Sequence, residues 1–148
     1  MRALQLPEYD CKLKESEGKI WIFDVIRKKF LLLTPEEWVR QHLINYFLTH
    51  LAYPKSLIKI ETGLLYNQLQ KRSDILVYDR QGSPWMLVEC KSYDIELTQK
   101  SVQQAAVYNA IIKAKYLVLS NGLKHICFQT GSNRNEAVQL ASFPEFKE

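Results

Sequence analysis

Two short apolar runs, Ile75-Leu76-Val77-Tyr78 and Trp85-Met86-Leu87-Val88, flank Arg80-Gln81-Gly82-Ser83-Pro84, a run of turn formers. They predict a β-hairpin with strands over 74–79 and 85–91. A helix is expected on either side of it in the chain. Thr34-Pro35-Glu36-Glu37 reads as a helix start, with Thr as N-cap, Pro at the first helical position and two carboxylates in the first turn. Val39, Leu43, Phe47 and Leu51 then form one stripe, which Tyr53-Pro54 ends. Thr98 can cap a second helix running to about Ala114, with Val102, Ala105, Ala106, Asn109 and Ile112 inward. Further strands are read at 19–25, 56–61, 116–119 and 125–128, the last two joined by the turn pair Asn121-Gly122. From residue 34 the order is helix, three strands, helix, two strands. That order predicts an α/β sandwich around a mixed central sheet. The first eleven and the last fifteen or so residues are expected to be the least committed parts, after a polar loop at 131–136.

Length and composition exclude several classes. The 148 residues suit one domain, 1–148, with 47% hydrophobic and 24% charged residues marking a globular chain. The longest apolar stretches, such as Phe30-Leu31-Leu32-Leu33, are too short to cross a bilayer, so no membrane association is expected. The start of the chain has no basic residues followed by an apolar core, so no secretory signal is expected. Cys11, Cys90 and Cys127 are odd in number and lack C-x-x-C spacing, which argues against a disulfide framework or zinc ribbon and for a cytoplasmic location. Five scattered glycines form no phosphate loop. Twenty Lys and Arg against sixteen Asp and Glu give a net charge of +4, which permits a polyanionic partner without requiring one.

The chemistry concentrates at one end of the hairpin. Alternation along a strand sends Glu89 and Lys91 to one face and Cys90 to the other. Asp74 begins the partner strand, so the hairpin can bring two carboxylates and an ammonium together. Such a group suits a hard divalent cation that keeps waters and a phosphate oxygen. A neighbouring lysine can favour hydroxide and neutralise charge developing on phosphate, and Arg72 or Lys71 is placed to hold a second phosphate. The plainer alternative is a salt-bridged strand end. Glu-x-Lys alone says little, and Glu17-Gly18-Lys19 repeats it with no evident purpose. The pattern leaves both readings open.

Other residues weigh less. Gln104 and Tyr108 are four apart on the second helix and share a face, where an amide and a phenol can orient water or touch phosphate. A surface hydrogen-bonding pair is the alternative. Glu36 and Glu37 both suit a helix N-terminus. Glu36 also continues the Val39-Leu43-Phe47 stripe and is expected to face the sheet as a third acidic group, whereas Glu37 starts a polar row with Arg40 and Gln41. His42, His50 and His125 are read as structural and Cys90 as core. No serine combines with His and an acid into a nucleophilic triad. Tyr93, just after the site, is placed to contact a base.

Taken together these segments resemble the PD-(D/E)xK nuclease superfamily, and within it the N-terminal nuclease domain of type I restriction enzyme R subunits. The resemblance spans about residues 20 to 128. Thr34-Pro35-Glu36-Glu37-Trp38-Val39-Arg40-Gln41 is similar to the opening helix, and Lys71-Arg72-Ser73-Asp74-Ile75-Leu76-Val77-Tyr78 to the metal-binding Asp segment. Leu87-Val88-Glu89-Cys90-Lys91-Ser92 resembles the E-x-K strand, Gln104-x-x-x-Tyr108 the Q-x-x-x-Y helix motif, and Leu119-Ser120-Asn121-Gly122 the next strand and turn. The resemblance implies a restriction-endonuclease-like αβββαβ core and Mg²⁺-dependent phosphodiester hydrolysis in DNA, with Mn²⁺ as a substitute. It implies that Asp74 and Glu89 ligate the metal and that Lys91 positions or activates water. Glu36 would be the helix carboxylate, with Gln104 and Tyr108 supporting the site. Ser73 stands where the family has proline.

The expected partner is DNA, with RNA a remaining option. No helicase motor follows in this sequence, so a motor or specificity subunit or a homodimer is expected to assist. The rival expectation is a catalytically silent nuclease-fold module that binds nucleic acid or a partner protein. It would need phosphate-contacting Lys and Arg but not the full Asp, Glu, Lys and Gln set.

Overall fold

The computed structural model describes residues 1–61, 65–66, 69–70, 74–131 and 137–147, with the backbone alone described at 61, 65, 66, 69 and 70. Three strands come first: β1 (Leu13–Ser16), β2 (Lys19–Asp24) and β3 (Lys29–Leu32). They form an antiparallel sheet of their own. Helix α1 (Pro35–Thr49) follows, and a 3₁₀ turn at Lys55–Leu57 leads into β4 (Ile58–Glu61). The two-residue strands β5 (Leu65–Tyr66) and β6 (Leu69–Gln70) pair with each other. Next come β7 (Asp74–Tyr78), β8 (Pro84–Cys90), α2 (Gln99–Ile112), β9 (Tyr116–Ser120), β10 (His125–Gln129) and β11 (Val138–Leu140).

The main sheet has six strands in the order β11-β10-β9-β8-β7-β4. Only β8 and β9 pair in parallel; every other neighbouring pair is antiparallel. A parallel pair needs a long crossover, and α2 supplies it. The sheet is therefore mixed, as the sequence predicts, and α1-β4-β7-β8-α2-β9 follows the order of a restriction-endonuclease-like core.

The central strands are nearly continuous apolar runs because both of their faces are covered. Ile75, Val77, Met86, Val88, Cys90 and Val118 pack with Val39, Leu43 and Phe47 of α1. Leu76, Leu87, Leu117 and Leu119 pack with Ala105 and Tyr108 of α2. Full burial of each such Ile, Leu or Val side chain is worth about 1.5–3 kcal/mol. Both helices start as their caps dictate. The Thr34 hydroxyl accepts from Glu37 N–H at 3.1 Å, and Thr98 and Ser101 form a reciprocal capping box. Helix α2 ends where the buried Asn109 amide bonds both the N–H and the carbonyl of Ala114. Ala106, expected inward, is exposed; Tyr108 takes the inward place instead.

The ends of the chain are more committed than expected. Gln5 N–H donates to Gly122 O at 2.8 Å, Trp38 Nε1 donates to Arg2 O at 2.8 Å, and Leu4 and Leu6 pack on the α1-side core. At the other end β11 extends the sheet, and Phe143 and Phe146 pack on the same core. Tyr53 Oη donates to Pro144 O at 2.5 Å. No helix among the described residues is long and apolar enough to cross a membrane.

Candidate active site

Strand register builds the site. Ile75 faces Val88 and Leu76 faces Leu87. Extending that register one step past its last pair would bring Asp74 opposite Glu89. By alternation both share the face of Leu76 and Leu87, which is the α2 face. Asp74 is 3% exposed and Glu89 4%. Carboxylates are almost never buried this far without partners or a bound cation.

Lys91 joins them because β8 continues its ladder one residue past its end. Lys91 N–H donates to Ser120 O at 2.8 Å, in step with the Glu89–Leu119 and Cys90–Ser120 pairs of the parallel ladder. The lysine side chain therefore leaves on the Glu89 face, and its Nζ lies 3.2 Å from Glu89 Oε1. The salt-bridged strand end is thus present. Asp74 faces it across the hairpin, which an isolated ion pair does not require.

The reverse face carries a separate polar network. Asp24, at the end of β2, accepts from Ile26 N–H (2.8 Å), Arg27 N–H (3.0 Å) and Arg27 Nε (2.7 Å). Arg27 Nη2 lies 3.5 Å from Glu37 Oε1. Arg40, 2% exposed, donates to Glu37 Oε1 at 2.8 Å and Glu36 Oε2 at 3.2 Å, while Gln41 Nε2 donates to Glu37 Oε2 at 2.8 Å. Burial opposes the Arg40 charge, and the carboxylates of Glu37 and Glu36 outweigh that and hold it in place. Burial pushes the Cys90 thiol far above its usual pKa, against the pull of Arg40, so this cysteine packs as core.

The two helix carboxylates reverse their expected roles. Glu37, read as starting a polar row with Arg40 and Gln41, is buried with them, because the row supplies its own partners. Glu36 is partly exposed and ion-paired to Arg40, on the helix that covers the opposite face from Asp74 and Glu89. Among the described residues no three of His, Cys, Asp and Glu are placed to hold one metal ion. Tyr108 is buried beside Leu76 and Leu87, whereas Gln104 is exposed one turn earlier on α2. Tyr93 is half-buried: its hydroxyl donates to Met1 Sδ at 3.1 Å and its ring packs on the α1-side core. Arg72 and Lys71 lie outside the described residues. His42 and His125 bond to Trp38 O and Gln5 O, as structural histidines do.

One position escaped the sequence reading. Glu61 pairs with Asp74 in the β4–β7 register. Positions 61, 74 and 89 therefore form an acidic row across three neighbouring strands. The signal was the charge ending the alternating Ile58-Lys59-Ile60-Glu61 run.

The family model for the type I restriction enzyme R protein N terminus matches residues 35–144. That span starts at the first residue of α1, takes in the whole six-stranded sheet and covers most of the chain. The chain belongs to this family. The type I R-protein N-terminal match contains Asp74, Glu89 and Lys91 and leaves out the β1–β3 sheet. No curated protein and no solved structure gives a significant match.

Proposed function

We propose that this member of the R-protein N-terminal family is a divalent-metal-dependent DNA endonuclease domain with Asp74, Glu89 and Lys91 at its centre. The observation that supports this best is the facing pair of buried carboxylates with the Lys91 ammonium 3.2 Å from one of them. The donor set fits Mg²⁺, with Mn²⁺ as substitute. It offers hard oxygens and few of them, which suits an ion that keeps several waters and shares itself with a phosphate. It does not fit an ion that demands six or more protein oxygens. Asp74 and Glu89 would hold the metal. When bound, the ion polarises a phosphate oxygen and makes its water more acidic.

The chain's own residues do the rest. Lys91 points its ammonium N–H donors along the Glu89 face. There it can orient the attacking water and stabilise the extra negative charge of the pentavalent phosphorus. Glu89 fixes the lysine by ion pairing, so the ammonium is already in place when substrate arrives. Tyr108 packs behind Leu76 and Leu87 and keeps that face rigid. Gln104, exposed in the middle of α2, is left to contact the substrate strand. DNA is the substrate by the family's nature, and a motor or specificity subunit or a second copy would choose the cut site.

Calorimetric titration of Mn²⁺ in the presence of a non-hydrolysable phosphorothioate duplex tests the assignment. Asp74→Asn and Glu89→Gln should each weaken binding at least tenfold, while Lys91→Ala, which removes no ligand, should retain it. Wild-type affinity in the Asp74→Asn protein would refute the metal site and favour a silent binding module.

A further inference from the structure

The β1–β3 sheet has an outward face that the α1–β11 fold does not use. Lys14, Trp21 and Leu32 are neighbours in register across the three strands, as are Phe23 and Phe30 across two. Phe23 N–H donates to Lys12 O at 2.9 Å, which brings Lys12 into the second row. Alternation turns these side chains away from Ile22 and Asp24, which are both fully buried. Trp21, Phe23 and Phe30 belong to neither core cluster. Phe23 and Phe30 meet edge to face with centroids 5.2 Å apart. Lysine ammoniums sit over them: Lys14 Nζ is 4.3 Å from the Phe30 centroid and Lys12 Nζ 5.1 Å from that of Phe23. Lys19 is exposed on the same face.

We infer that this face binds single-stranded DNA, its rings stacking on unpaired bases and its lysines meeting the backbone. Three observations support that occupant. First, the charge is one-signed. The face carries Lys12, Lys14 and Lys19, while Arg27 is ion-paired to Asp24 and Lys29 lies opposite Asp24 on the inward side. Glu15 pairs with Ile20 on the other face, Asp24 is buried and Glu17 sits in the β1–β2 turn. Second, rings on a sheet surface offer flat faces to bases that are not already stacked in a duplex. Third, the core of a protein–protein interface is depleted of lysine, whereas here lysines lie against the rings themselves. The face lies outside residues 35–144, so the family match does not assign it. The choice of DNA over RNA rests on the nuclease reading.

The test is fluorescence anisotropy of a labelled oligothymidylate 12-mer in EDTA, where no metal-dependent cleavage occurs. The full chain should bind it more tightly than a duplex of equal length. Trp21→Leu and Phe30→Leu, which keep apolar bulk, should each weaken binding about tenfold. Lys12→Gln with Lys14→Gln, both on exposed side chains, should make the salt dependence less steep by about 1.4 in log–log slope. Thermal unfolding of each variant checks that the fold is kept. Asp74→Asn should bind like the wild type, so failure of the nuclease reading leaves this result standing. Equal or tighter binding of oligouridylate would overturn the assignment to DNA. Indifference to all four substitutions, or a dimer in sedimentation that Phe30→Leu dissociates, would overturn the nucleic-acid surface itself.

Discussion

Lys91 stands two residues from Glu89, and strand geometry alone puts both on one face. That much needed no tertiary information. The place of Glu36 and Glu37 did. Helical spacing put Glu36 on the apolar stripe, but the carboxylate that is buried is the one with internal partners, and Arg27 arrives from the β2–β3 turn. Spacing within a helix cannot reveal a cation supplied by another element. Asp24 shows the same gap. Burial works against its charge, yet the Arg27 N–H and guanidinium and the Ile26 N–H outweigh that and hold its carboxyl below the usual value. A depressed folded-state pKa contributes stability that is fully present above the unfolded value, about pH 4, and is lost as pH falls through the folded one. Urea unfolding between pH 6 and 2.5 should show this loss below about pH 4, and Asp24→Asn should flatten it while lowering stability at neutral pH. An Asp24→Asn protein with the wild-type pH slope would contradict the assignment.

At the scale of elements, the helices were legible from their caps and the hairpin from its turn. The two turn glycines separate backbone from packing. Gly82 and Gly122 both have left-handed backbones, with φ of +86° and +83°. A Cβ on Gly82 would meet nothing within 4 Å, whereas one on Gly122 would lie 2.8 Å from Leu4 Cδ2 and 3.0 Å from Val39 Cγ2. Gly82→Ala should therefore cost only the backbone strain, about 1 kcal/mol. Gly122→Ala should cost that plus overpacking, about 2–4 kcal/mol in all. Denaturant midpoints measure both, and equal losses would contradict the close approach of Leu4. Besides the two-residue β5 and β6, the elements that the sequence hid are β1, β3 and β11. They are short, and β1 and β11 have mostly exposed side chains. At three or four residues each they are too short to announce a strand by alternation, and only pairing with β2 and β10 defines them.

Across the whole molecule, the unforeseen feature is how both ends close over the α1 side of the sheet. Leu4 and Leu6 reach it from the start of the chain. Phe143 reaches it from the tail, its ring set edge-on or tilted against Tyr46 (5.4 Å), Phe47 (5.6 Å) and His125 (5.3 Å). Neither segment is periodic, so sequence pattern could not place them. Phe143→Ala should lower stability by about 3 kcal/mol, a large effect for a tail residue, read as a shift in the thermal midpoint. The same closure leaves the α2 face of the sheet to Asp74, Glu89 and Lys91, the site proposed for phosphodiester cleavage. The direct measurement is nicking of supercoiled plasmid by the purified protein in Mg²⁺ or Mn²⁺. Lys91→Ala should lower the rate at least about a hundredfold, with Asp74→Asn at background and EDTA abolishing cleavage by the wild type. Cleavage that survives Asp74→Asn with Lys91→Ala in one chain, at the wild-type rate and with the same metal dependence, would place the chemistry elsewhere.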